Sequence, residues 1–121
     1  MKNFLILTLM TIGMSALCEN TRVMKYLDTS STNITTSAWV TCTSTTKMVN
    51  HTYALNNSNC DLLVCLTESS TDCTTTNQFD LLQGTSFVFD KFPSSSAIFL
   101  KSKSGTCNSG IVSCGLWRSR E

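Results

Sequence analysis

The chain has 121 residues, of which 41% are hydrophobic and only 14% charged, and its formal net charge is +1. That balance gives no electrostatic hold on nucleic acid or on an anionic membrane surface. The length suits one small domain, and its polar surface has to come from Ser, Thr and Asn.

Residues 1–18 read as a secretory signal peptide. Met1-Lys2-Asn3 is a short basic start, Phe4 to Ile12 an apolar run, and Ala16 and Cys18 are small residues that suit cleavage before Glu19. The run is too short for a spanning helix, which needs about 20 apolar residues, and no second run of membrane length follows. A lipoprotein reading, with Cys18 retained and acylated, is disfavoured by Leu17, where a small residue is wanted. The mature chain is expected outside the cytosol, in a periplasmic, cell-surface or extracellular setting that is oxidising to thiols.

Residues 19–37 read as an exposed N-terminal arm or linker, with Tyr26 and Leu27 the large apolar residues before the Ser/Thr/Asn-rich stretch Asp28 to Thr36. From Ala38 short apolar pieces with period two take over, and residues 38–121 are expected to be the folded domain. Strands are predicted at Ala38–Thr43, Thr52–Leu55 and Asp61–Thr67, the last apolar on both faces and so central. The polar loop 68–77 leads to Phe79–Leu82, and Gln83-Gly84 is a turn in which Gly84 supplies a positive φ. Ser86–Asp90 follows with Phe87 and Phe89 on one face. Pro93 marks a turn outside any central strand. Ala97–Lys103 and Ile111–Arg118 complete the set. Some seven short strands without helical periodicity predict an all-β fold, a small antiparallel β-sandwich or barrel stapled by disulfides.

Seven cysteines occur, and removing Cys18 with the leader leaves six: Cys42, Cys60, Cys65, Cys73, Cys107 and Cys114. An even number in an exported domain fits full pairing, with about 15 connectivities open. Local spacing mildly favours hairpin staples Cys65–Cys73 and Cys107–Cys114, with Cys42–Cys60 left over. Zinc is the weaker reading, because no Cys-x-x-Cys pair exists and His51 is the sole histidine.

Chemistry is sparse. His51 with any Ser and Asp61 or Asp80 could be drawn as a triad, but no nucleophile-elbow motif supports it, and the aspartates lack calcium-loop spacing. No catalytic residue, cofactor or metal is expected. Asn33-Ile34-Thr35, Asn50-His51-Thr52 and Asn56-Asn57-Ser58 are sequons, meaningful only in a eukaryotic host. Trp117 reads first as a core anchor of the last strand, and second, with Arg118, as a contact patch.

From Asn56 to Arg118 the chain resembles a small β-sandwich domain of tailed-phage virion accessory proteins, such as decoration and fibre proteins. The resemblance is carried by Asn56-Asn57-Ser58, Leu62 to Leu66, Leu81 to Asp90, Pro93, Ala97-Ile98-Phe99-Leu100, Ser104-Gly105-Thr106 and Trp117. Gln83 stands where that pattern usually has Pro, and virion proteins need neither export nor disulfides. The resemblance implies a fold and a surface or binding style of use, with no catalytic residue. The expectation is an exported, non-enzymatic surface-attachment or structural module with a protein or glycan surface partner, homo-oligomers being compatible with exposed edge strands. The alternative is a secreted disulfide-rich effector or inhibitor. Loops 68–77 and 104–110 are expected to form the contact face.

Overall fold

The structure, a computed structural model, describes residues 22–118, apart from the side chains of residues 91–94. The signal-peptide segment and Cys18 lie outside the described residues. Six antiparallel strands form the fold: β1 (Arg22–Asp28), β2 (Val40–Ser58), β3 (Leu62–Thr67), β4 (Gln78–Leu81), β5 (Ser86–Ser102) and β6 (Gly110–Trp117), with one 3₁₀ turn at Ser70–Asp72. Their order is β1-β6-β2-β5-β3-β4, an antiparallel sheet that does not close into a barrel.

Two long strands replace four of the expected short ones. The first half of β2 pairs with the second half of β5 (Val40 with Leu100), and its second half pairs with the first half of β5 (Thr52 with Phe89) and with β6 (Thr52 with Leu116). Between these halves the register slips around Ser44–His51 and Asp90–Ser95. Such irregularity bends strands. Pro93 therefore sits inside β5, at this bend, and not in a turn.

The bend folds the sheet on itself. Cys114 lies opposite Ala54 on β2, yet it is bonded to Cys42, twelve residues earlier on that strand, with Cα atoms 6.3 Å apart. A straight strand would hold those two β2 positions about 40 Å apart. One layer is thus β1, β6, the end of β2 and the start of β5; the other is the start of β2, the end of β5, β3 and β4. Ala54, Val112, Cys114 and Leu116 from the first layer join Leu62, Val64, Ile98 and Leu100 from the second in one core. Phe79, Phe87 and Phe89 pack on its border, Phe79 meeting both others edge to face at 5.0 and 5.5 Å.

The expected exposed arm is part of this body. Arg22–Asp28 pairs with β6 along its length, and Ile34 is fully buried, exchanging backbone bonds of 3.1 and 2.8 Å with Cys107. Period-two alternation in Val23, Leu27 against Met24, Tyr26 was the signal, hidden because the outward residues of an edge strand include large apolar ones. The disulfides are Cys42–Cys114, Cys60–Cys107 and Cys65–Cys73. The hairpin staple Cys65–Cys73 stands as expected. Cys107–Cys114 and Cys42–Cys60 do not, because both cysteines of each supposed pair are directed to partners brought close by the fold.

Buried Asn56 ties the end of β2 to two neighbours. Its Nδ2 donates to the carbonyls of Cys60 and Leu81, both at 2.9 Å, and its Oδ1 accepts from the Ser58 amide and hydroxyl. The expected Asn56–Asn59 turn therefore begins within β2. Gly84 has φ +78 as its turn requires.

Candidate interaction face

Cross-strand partners share a face of the sheet, so the register of the first layer dictates what it turns outward. Across β1, β6, β2 and β5 the outward rows are Arg22, Trp117, His51 and Asp90; then Met24, Gly115, Tyr53 and Val88; then Tyr26, Ser113, Leu55 and Ser86; and at the far end Asp28, Ile111 and Asn57. The alternate residues Val112, Cys114 and Leu116 and Thr52, Ala54 and Asn56 go inward and are buried. An outward sheet face normally carries polar residues. This one instead exposes Tyr26 at 77%, Val88 at 55%, Met24 at 47% and Ile111 at 46%.

The outer face of the second layer is covered. Cys65, Ala97 and Phe99 are buried there under Trp39 and Cys73, and Lys101 Nζ lies 4.8 Å from the Trp39 ring centre. The Cys65–Cys73 bridge and the Asn77 side chain, which bonds the Asp72 carbonyl and the Thr74 amide, shape the 68–77 loop. Met24, Tyr26, Val88 and Ile111 on the first layer have no such cover among the described residues.

Gly115 lets the Met24 and Trp117 side chains close over the middle of that face. A Cβ there would come within 2.6 Å of Met24 Sδ and 3.5 Å of the Trp117 ring. On the same face lies a groove of about 460 Å³ lined by Arg22, Met24, Tyr53 and Trp117. Trp117 is not in the core: it stands half-buried on the outer face, stacked on His51 with ring centres 5.2 Å apart and planes within 2°. His51 Nδ1 is 2.7 Å from Asp90 Oδ1, which fixes the ring against the indole. His51 therefore supports a surface aromatic, and neither Asp61 nor Asp80 is its carboxylate.

Arg118 is exposed and lines a different recess with Met48, Val49 and Asn50. The residue joined to Trp117 in its groove is Arg22. Loops 68–77 and 104–110 do not form one contact face. Leu62 pairs with Ser102 and Thr67 with Ala97, so the two loops leave opposite ends of β3. Sequence reasoning missed Arg22, Met24, Tyr26, Tyr53, Val88 and Gly115, although their period-two placement could have revealed all but the glycine.

Charge at the rim is simple. Asp28 accepts from the Ser30 hydroxyl and amide at 2.7 and 2.9 Å, and these bonds hold its carboxyl below the usual aspartate value. Elsewhere, Asp80 bonds Lys103 and holds that ammonium above its ordinary value. Of the sequons, Asn33 is exposed, Asn50 half-buried and Asn56 buried with its side chain engaged.

No family model and no curated protein matches the chain. Among solved structures it is similar to a chain of the Bacillus endospore appendages, described as a novel family of disulfide-linked pili, with TM-score 0.50 and 6% identity over 85% of this chain and 88% of that one. At that identity the likeness is one of fold. The resemblance to phage virion accessory domains is not shown by these comparisons.

Proposed function

We propose that the chain is an exported, non-enzymatic structural or surface-attachment module, used by contact through its first layer. The observation that carries this reading is the outward sheet face on which Met24, Tyr26, Val88 and Ile111 are exposed around a groove and Trp117 stands beside them. Contiguous exposed apolar surface of this kind marks a site of interaction. Three bridges within the body suit a module that works in an oxidising exterior. The fold neighbour, itself from disulfide-linked pili, supports use in a surface appendage, and the virion resemblance over residues 56–118 would fit the same non-catalytic style. Trp117 and Arg22 are the contact residues in this reading, with Arg118 at the rim.

Fractionation tests it. The full chain, expressed with its leader in its own source, is expected in the envelope, surface or appendage fraction, with all six body cysteines resistant to alkylation until reduced. Recovery from the cytosol with free thiols would overturn the reading. Release as a free protein that copurifies with one enzyme would replace it with the effector or inhibitor alternative.

A further inference from the structure

We infer that the partner of the first layer's outer face is a second copy of this chain, bound face to face about a two-fold axis. The inference specifies the partner that the structural-module reading leaves open, and it can fail separately from it.

Edge pairing is the obvious route for a β protein to self-associate, and the outermost strands of the sheet, β1 and β4, are guarded. β1 carries Lys25 at its middle, and β4 is four residues long with Asp80 engaged by Lys103. Lysine on an edge strand and very short edge strands are the usual defences against edge-to-edge contact. Among the described residues, four of the six exposed large apolar residues, Met24, Tyr26, Val88 and Ile111, lie on the face instead.

That face is self-complementary. Take an axis lying in the contact plane and running across the strands. It sets β1 over the β1 of the second copy with its direction reversed, so the first outward row meets the last. Arg22 then faces Asp28 of the second copy and Asp28 faces its Arg22. Neither residue has an ion-pair partner among the described residues, and the Ser30 bonds keep Asp28 in its charged form. Trp117 meets Ile111, Tyr53 meets Leu55 and Met24 meets Tyr26, a favourable thioether–aromatic pairing. Tyr26, the most exposed large side chain on the face, comes over Met24 at the wall of the opposing groove lined by Arg22, Met24, Tyr53 and Trp117. Each copy supplies both knob and hole, as an isologous contact requires.

The size of the face bounds the affinity. Four strands about 4.8 Å apart and seven residues at about 3.3 Å cover roughly 19 by 23 Å. That footprint is below the ~800 Å² per partner of a standard interface, so the association is expected to be weak and reversible.

Sedimentation of the oxidised full-length exported chain over a concentration series gives the test. A reversible dimer is expected. Tyr26→Ala and Arg22→Glu should each weaken it at least about tenfold, with thermal unfolding unchanged when measured at concentrations where the chain is monomeric, and Arg22→Glu combined with Asp28→Arg should restore most of the loss. If the double variant loses its folding transition, the two single variants decide alone. A wild-type chain that stays monomeric, a dimer indifferent to both single variants, or a folded double variant without recovery would each overturn the proposal. None of these results bears on where the chain is located.

Discussion

Asn56→Ala should be among the most damaging single changes outside the disulfides, and the structure sets its size. The substitution removes four side-chain hydrogen bonds. The Ser58 hydroxyl can keep the Cys60 carbonyl, which it also contacts at 3.1 Å, so that group is not stranded. The buried Leu81 carbonyl and the Ser58 amide lose their side-chain partner, at about 1–3 kcal/mol each. A loss of about 4 kcal/mol is expected, a large share of the 5–15 kcal/mol that holds a typical domain together. In urea, with m near 1.5 kcal/mol/M, the midpoint should fall by about 2.5 M at unchanged slope. Asn56→Asp should be worse, since it turns a carboxylate toward two carbonyl oxygens, whereas Asn57→Ala on the exposed neighbour should stay within about 0.5 kcal/mol. A shift below about 1 kcal/mol for Asn56→Ala would refute the reasoning.

Gly110 has φ +100, and a Cβ there would overlap the Asn57 carbonyl and the Ser58 Cα, so Gly110→Ala should cost more than about 2 kcal/mol in urea unfolding. Gly105→Ala, at φ +71 with open space around it, should cost only about 1 kcal/mol. Loop-closure entropy ranks the bridges: about 4 kcal/mol for Cys42–Cys114 and Cys60–Cys107, at separations 72 and 47, against about 2.5 for Cys65–Cys73 at separation 8. Removing each pair in turn should lower the guanidinium midpoint in that order. The Asp28 contribution to stability should be complete above the unfolded aspartate pKa and vanish as pH falls through its lowered folded value. Carboxyl NMR should show its midpoint rising in Ser30→Ala. The Lys103–Asp80 contribution runs the other way, complete below the unfolded lysine pKa and lost as pH rises through the raised folded value; an Asp80→Asn variant should lower the Lys103 midpoint.

Local patterns made much of the fold legible. The doubly apolar piece Leu62–Leu66 did become an inner strand, and Phe87 and Phe89 do share a face. The two bent strands were hidden because Ser44–Met48 is polar or exposed at the corner, which reads as a loop although the backbone stays extended. Cysteine pairing was hidden for a related reason: which thiols meet depends on where the corner falls, and spacing along the chain carries no record of that. The sequence pattern points Trp117 inward, where an aromatic near a strand end usually lies. Its register with Arg22 and His51, unknowable before β1 was placed beside β6, turns it outward.

The Cys42–Cys114 bridge also decides how the body would respond to tension. Arg22 and Trp117 are neighbours across a ladder, so pulling on the two ends of the described chain would peel β1 away from β6 like a zipper. Extension would stop once the load reached the sulfurs, after about two dozen residues or roughly 80 Å had run out. Everything between Cys42 and Cys114, including most of the core, would then hang unstretched behind a covalent shortcut.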